Sequence, residues 1–177
     1  MVQLLSELGY DTGYKSDSPI WGYSNAGLEW NISVENAPYI IKSPALCEKL
    51  DDILKRGKVV IDYAIVPIRN LFDAAESRRN VVSNAGANVA PNALHGGLFG
   101  TKIASEQELV LARKRYSLMH TLSKHEIPLM LLNFPMIIDD SEYLYRNLHT
   151  VFPSMDKERF DVAFAKICKP ELVHKFE

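Results

Sequence analysis

The 177 residues are enough to bury the core of one domain, and the hydrophobic share of 47% and charged share of 24% match a soluble globular protein. The formal net charge of −2 excludes long-range attraction to nucleic acid or acidic membranes, so local positive groups must hold any anionic ligand. No apolar run approaches the length of a membrane span, and no signal peptide is visible. The two cysteines suggest neither a disulfide framework nor a metal cluster, which favours a reduced, cytoplasmic setting.

The pattern of apolar residues, caps and glycines predicts helices that alternate with strands. In chain order these elements are a helix over residues 2–8, an irregular stretch over 10–38, a strand over 39–42, a helix that begins after Ser43 and ends before Gly57, a strand over 59–67, a helix over 71–82, a second irregular stretch over 84–104, a helix over 105–124 that opens with a capping box at Ser105, a strand over 129–134, and helices over 141–151 and 156–168. Such alternation favours an α/β fold, a three-layer parallel sheet flanked by helices, in a single domain over residues 1–177.

The most informative residues lie where the strand over 59–67 gives way to a helix. Arg69 follows the strand, and Asn70 can cap the helix with Asp73 three residues later. Open α/β sheets bind ligands at the carboxyl ends of their strands. Ser77 lies two turns along the helix, on the same face as Arg69, and a guanidinium and a hydroxyl in one crevice suit a phosphate group. The alternative is that Arg69 only pairs with a carboxylate and that Ser77 only permits close packing.

An arginine at a strand end with a serine eight residues later resembles the sulfotransferase family, in which these two positions hold the 3′-phosphate of the sulfate donor PAPS (3′-phosphoadenosine 5′-phosphosulfate). Residues 39–44, 96–101 and 134–144 are similar to further segments of such proteins. The resemblance implies a P-loop type of fold with Arg69 and Ser77 binding PAPS, no metal, and a small-molecule or glycan acceptor that offers a hydroxyl or an amine.

The same resemblance assigns a catalytic role to Lys42, which ends the predicted strand over 39–42. A lysine at this place in the family lies near the transferring sulfuryl group, where a cation stabilises charge on the bridging oxygen. The alternative is a solvated lysine at a strand end. Cytosolic members of the family follow this lysine with Thr-His, and the histidine acts as base. Ser43 and Pro44 follow it here, so the resemblance supplies no general base.

One part of the family pattern is missing. The family begins with a strand and a Lys-Ser-Gly-Thr-Thr loop, whereas this chain opens on a helical pattern, so we expect an N-terminally incomplete domain whose sheet lacks its first strand. The glycine-rich residues 96–102 do not replace the loop, because a threonine separates the last glycine from the lysine and no apolar strand precedes them. We expect them to form a flexible loop near the ligand crevice. A gap in the sheet would expose strand edges and favour a homo-oligomer.

The sequence supports two functions of different kinds. The first is a sulfotransferase-like enzyme that moves a sulfuryl group from PAPS to a hydroxyl or amine. The second is a non-catalytic binding or interaction protein that retains the α/β scaffold, because a fold does not guarantee its usual activity. Whether this chain is an enzyme by itself stays open at the level of sequence.

The sequence also supports two local predictions. Asp139 and Asp140 cap a helix, and at most one of Arg78 and Arg79 joins the crevice.

Overall fold

The computed structural model describes residues 1–21, 27–84, 93–173 and 176. Its helices and strands, in chain order, are α1 (Val2–Glu7), α2 (Leu46–Lys55), β1 (Ala64–Ile68), α3 (Leu71–Asn84), α4 (Gln107–Lys124), β2 (Leu129–Asn133), α5 (Met136–Asp139), α6 (Ser141–Val151) and α7 (Lys157–Ile167). A single 3-10 turn precedes α4, and another follows α7. The protein is therefore of mixed α/β class, as the sequence predicts at this coarse level.

The sheet is a parallel pair in which Ala64 lies opposite Leu129 and Ile68 lies opposite Asn133. Helices α3 and α4 form the crossover between the two strands, because parallel neighbours cannot be joined by a tight turn. The strands are hydrogen-bonded directly to each other, so the gap that we expected for a missing strand does not lie between them. The described residues form a two-stranded sheet, which is smaller than the three-layer P-loop sheet of the sequence prediction.

The predicted strand over residues 39–42 is wrong, since this segment is irregular. Its backbone groups bond to the preceding irregular stretch instead of a strand. The Ile40 N–H donates to the Asp11 carbonyl at 2.9 Å, and the Lys42 carbonyl accepts from the Trp30 N–H at 3.1 Å. Because these partners, 12 and 29 residues away in the chain, already bond the Lys42 carbonyl and the Ile40 N–H, a short apolar pattern was not enough to add a strand to the sheet.

The hydrophobic core lies on one face of β2. Met130 and Leu132 are buried there, and they alternate with the exposed Leu129 and Leu131. The other buried members of the cluster come from α1, from the segments α5 to α7 and from the turn before α7: Leu4, Leu5, Ile137, Leu144, Leu148, Met155, Phe160 and Ala163. These helices therefore cover one face of the sheet and are held to it by apolar packing.

Side-chain caps set the start of three described helices, and those by Asn70 and Asp140 were predicted. Asp156 caps α7 by accepting from the Arg159 N–H at 2.8 Å, whereas Asp139, for which a cap was also predicted, is the last residue of α5. The Asp140 carboxylate accepts a hydrogen bond from the Tyr143 N–H at 2.9 Å at the start of α6. The Asn70 side chain accepts one from the Asp73 N–H at 3.2 Å at the start of α3. The predicted capping box at Ser105 is wrong, because a 3-10 turn occupies Ala104–Glu106 and α4 begins after it without a side-chain cap.

Helices α2 and α3 both pack against α4, and polar contacts join them. The Asp51 carboxylate of α2 lies 2.8 Å from the Lys124 ammonium and 2.8 Å from His125 Nε2, at the end of α4. The Arg79 guanidinium of α3 pairs with the Glu108 carboxylate at the start of α4. The two ends of α4 are thus each fixed by an ion pair to a different neighbouring helix.

Candidate functional site

The carboxyl ends of β1 and β2 meet at one edge of the sheet, which we call the carboxyl edge. Arg69 directly follows β1, and Phe134 directly follows β2. The Arg69 guanidinium carbon lies 5.0 Å from the centroid of the Phe134 ring and 5.9 Å from that of Phe176. The Phe134 N–H donates to the Ile68 carbonyl at 2.8 Å, which continues the strand pairing by one residue. The aromatic rings therefore provide a cation–π environment for the arginine.

Burial and a neighbouring charge shift the pKa of Arg69 in opposite directions. Partial burial lowers the pKa of Arg69 from its ordinary value, and the neighbouring Asp73 carboxylate raises it again in part. A guanidinium keeps its proton at neutral pH in any case. Asp73 and Ser77 are one turn apart on α3 and share a face of the helix. The structure therefore brings Arg69 close to Asp73 and places Ser77 on the next turn of that same face.

A second guanidinium reaches the carboxyl edge from α4. The Arg115 side chain donates from one of its terminal nitrogens to the Arg69 carbonyl at 3.2 Å. An anion at this edge would be favoured by Arg69 and Arg115 and disfavoured by the Asp73 carboxylate. Sequence reasoning missed Arg115, because nothing in the pattern of α4 shows which turn faces the end of β1. It also missed Phe134, although the strand-end rule that located Arg69 applies equally to β2.

Lys42 does not end a strand, because residues 39–42 form none. Its ammonium donates to the Gly27 carbonyl at 2.7 Å and lies 3.5 Å from the Glu29 carboxylate. These contacts direct the charge of Lys42 towards the first irregular stretch. The strand-end position from which we inferred a catalytic role is therefore wrong, and the role itself stays a prediction.

The adjacent arginines Arg78 and Arg79 have different partners, as neighbouring helix positions require. Arg78 donates to the Gly97 carbonyl at 2.7 Å, and its guanidinium carbon lies 5.3 Å from the Phe99 ring centroid. Burial lowers the pKa of Arg78 from its ordinary value. Arg79 is engaged with Glu108. Arg78 therefore fixes the glycine-rich segment, and Arg79 joins α3 to α4.

The glycine-rich segment is tied to α4 and is not a phosphate loop. The Phe99 N–H donates to the Gln107 side-chain oxygen at 2.8 Å, and the Gln107 amide nitrogen donates back to the Phe99 carbonyl at 3.2 Å. The Gly97 N–H donates to the Leu94 carbonyl at 3.0 Å. A phosphate loop needs successive backbone N–H groups that point at the ligand. Here those of Gly97 and Phe99 are used within the chain.

Within the described ranges, no helix combines the length and the apolar character needed to cross a membrane, and no group of three or more His, Cys, Asp or Glu side chains could hold a metal ion. Comparison of the chain with protein-family models, with curated proteins and with solved structures gives no match. The carboxyl edge is therefore the candidate functional site of the described part of the chain.

Proposed function

We propose that this chain is a sulfotransferase-like protein that binds the 3′-phosphate of PAPS, or of the related adenosine 3′,5′-bisphosphate, at the carboxyl edge of its sheet through Arg69 and Ser77. The supporting observation is the position of Arg69, which follows β1 and lies 5.0 Å from the ring of Phe134 after β2. Both residues stand at the edge where parallel sheets bind ligands.

The residues of the carboxyl edge fit one half of the nucleotide. Arg69 can offer a fork of N–H donors to two phosphate oxygens, and the Ser77 hydroxyl can offer a third donor. Arg115 adds positive charge beside them, since its side chain contacts the Arg69 carbonyl at 3.2 Å. Bound PAPS would supply an activated sulfuryl group for attack by an acceptor hydroxyl or amine. The part of this chemistry that the chain's own edge residues perform is to bind and orient the 3′-phosphate.

The other half of the nucleotide has no comparable partner among the described residues. In the resembled family a strand and its Lys-Ser-Gly-Thr-Thr loop hold the phosphosulfate, whereas β1 and β2 here pair directly with each other. Lys42, the predicted catalytic residue, is engaged with Glu29 and Gly27. No transfer step is therefore assigned to these residues. These two observations favour the second candidate, a binding protein that holds the nucleotide or a similar phosphate without transferring a sulfuryl group.

Calorimetric titration with adenosine 3′,5′-bisphosphate tests the proposed site. We expect Arg69→Ala to weaken binding by about 1.5–3 kcal/mol, which is the contribution of a hydrogen bond to a charged group. Ser77→Ala should weaken it less, and both variants should keep the far-ultraviolet circular dichroism of the parent chain. Arg56→Ala is the matched control, because Arg56 is an exposed arginine that directly follows α2. It is five residues from Asp51, whose carboxylate bonds His125 at the C-terminal end of α4. Unchanged affinity in Arg69→Ala would contradict the assignment.

A turnover assay separates the two candidates. The chain is incubated with PAPS and a panel of phenol, sugar and amine acceptors, and release of adenosine 3′,5′-bisphosphate is followed by chromatography. Sulfated product that depends on both Arg69 and Lys42 supports the enzyme. Nucleotide binding that depends on Arg69, with no product, supports the binding protein. Absence of any binding by the parent chain would contradict both.

A further inference from the structure

Helices α2 and α4 and the turn at Gly100 border an open surface groove of about 420 Å³. We call it the α2–α4 groove. Its lining residues come from two helices and one turn: Cys47 and Glu48 of α2, Gly100, and Val110, Arg113, Lys114 and Ser117 of α4. The volume lies in the range of about 300–1,000 Å³ that is usual for small-molecule sites.

The groove and the carboxyl edge lie on different faces of α4. Val110, Arg113, Lys114 and Ser117 follow the i, i+3, i+4, i+7 spacing of a single helix face. Arg115, which contacts the Arg69 carbonyl, is two residues from Arg113 and so lies roughly 200° around the helix from it. A ligand in the groove can therefore be tested without disturbing the carboxyl edge.

The charged groups of the groove favour an anion. The Lys114 ammonium lies 2.7 Å from the Glu48 carboxylate, so these two charges offset each other. The exposed Arg113 guanidinium forms no ion pair with any residue that the structure describes, and it leaves the groove with an excess of positive charge. The Ser117 hydroxyl lies one turn further along the same face of α4 and is a neutral hydrogen-bond donor.

Gly100 keeps the groove open. Its φ of +71° belongs to the left-handed region, which other residues rarely adopt. A Cβ at this position would lie 3.0 Å from a methyl carbon of Val110 and 3.4 Å from a side-chain carbon of Lys114. Bare backbone therefore forms this wall, and a side chain would crowd the basic face of α4.

We propose that the α2–α4 groove is a second ligand site, for a small molecule that carries a phosphate or pyrophosphate group. Arg113 and Lys114 hold the oxygens of the anion, and Ser117 donates one further hydrogen bond. Glu48 competes with the ligand for Lys114, because the two groups already lie 2.7 Å apart. Removal of the Glu48 charge should therefore strengthen binding of the anion, an effect that a merely structural ion pair would not have.

Cys47 lines the groove and can report on its occupancy. The chain has two cysteines, so Cys168→Ser leaves Cys47 as the single thiol. Burial raises the pKa of the Cys47 thiol, and Glu48 raises it further. The thiol is therefore alkylated with iodoacetamide above neutral pH. For each variant, the rate of Cys47 alkylation with pyrophosphate is divided by the rate without it. This ratio cancels any effect of a substitution on the thiol itself.

In the Cys168→Ser background, we expect pyrophosphate to slow alkylation of Cys47 in a saturable manner. Arg113→Ala should raise the half-saturating concentration by about tenfold, the effect of losing one charged hydrogen bond. Glu48→Gln should lower it, and Arg69→Ala should leave it unchanged, which separates this site from the carboxyl edge. Arg113 is exposed, so its truncation should leave the circular dichroism unaltered. No protection by pyrophosphate, equal protection in Arg113→Ala, or weaker protection in a folded Glu48→Gln protein would each overturn the proposal.

Discussion

The helices on the buried face of β2 pack through large apolar side chains, whereas the group formed by α2, α3 and α4 combines apolar packing with ion pairs. In the first region, large apolar side chains such as Phe160 and Leu148 are completely buried. In the second, buried apolar residues such as Leu50 and Leu122 are joined by partly exposed ion pairs such as Asp51 with Lys124. Apolar burial depends little on pH, whereas ion pairs depend on the protonation of their carboxylates. The part of the molecule that is rich in charged contacts also contains the candidate anion sites.

The largest effect should come from the apolar region. Phe160→Ala removes a completely buried ring from the centre of the cluster and should lower the free energy of unfolding by about 3–5 kcal/mol, measured by urea denaturation. Phe72→Ala is the matched control, because Phe72 lies in the first turn of α3 and is 45% exposed. We expect that control to change stability by less than about 1 kcal/mol. Similar losses in both variants would show that the apolar cluster is not the main source of stability.

A smaller effect should come from the buried polar contact at the start of α4. Gln107 is completely buried and bonds both backbone groups of Phe99. Gln107→Leu leaves that N–H and that carbonyl unsatisfied and should cost about 2–3 kcal/mol, since each buried unpaired group costs about 1–3 kcal/mol. Thr101→Val removes two exposed hydrogen bonds in the same segment, the one to Glu106 and the one from the Ile103 N–H. It should cost less than about 1 kcal/mol, because water can replace both partners. An unchanged free energy of unfolding in Gln107→Leu would show that this polar contact does not stabilise the group formed by α2, α3 and α4.

The smallest effect, and the one that best separates the two regions, depends on pH. Hydrogen bonds from Lys124, Lys55 and His125 hold the pKa of the Asp51 carboxyl well below its usual range. The folded state therefore keeps this carboxyl ionised at pH values at which the unfolded chain protonates it, below about 3.9. Its stabilisation is complete above that value and is lost as the pH falls towards the lowered pKa.

Asp51→Asn should consequently lower the melting temperature at neutral pH, and the difference from the parent chain should shrink as the pH falls below about 4. Thermal unfolding followed by circular dichroism over this range is the measurement. Phe160→Ala serves as the contrast, because its loss of burial should persist at every pH. A difference for Asp51→Asn that stays constant on acidification would rule out the ion pairs as its cause.

Local patterns predicted most elements of this fold. The sequence placed the short N-terminal helix before Gly9, where the backbone has a φ of +87°, and it placed the closing helices with Asp140 as a cap. It also placed β2, whose apolar residues alternate with the pleat of a strand. The strand-end position of Arg69 followed from the same kind of evidence, a run of apolar residues that ends at a charge. Each of these features depends on a few consecutive residues.

The features that the sequence did not predict depend on contacts between distant segments. Residues 39–42 resemble a strand, but bonds to the first irregular stretch left them irregular, and Lys42 accordingly lies beside Glu29. The approach of Arg115 to the end of β1 requires the packing of α4, which no local pattern encodes.

The residues by themselves determined most of the helices, β2 and the charged position at Arg69, because capping, periodicity and strand termination are local properties. They did not predict the short helix α5, which follows β2 directly. Only the tertiary structure decided that β1 pairs directly with β2, that the Phe134 ring lies against the Arg69 guanidinium, and that Glu48 and Lys114 meet across a groove. A strand can pair with any segment whose backbone groups and apolar face match its own, so its partner is chosen by the packing of the whole chain.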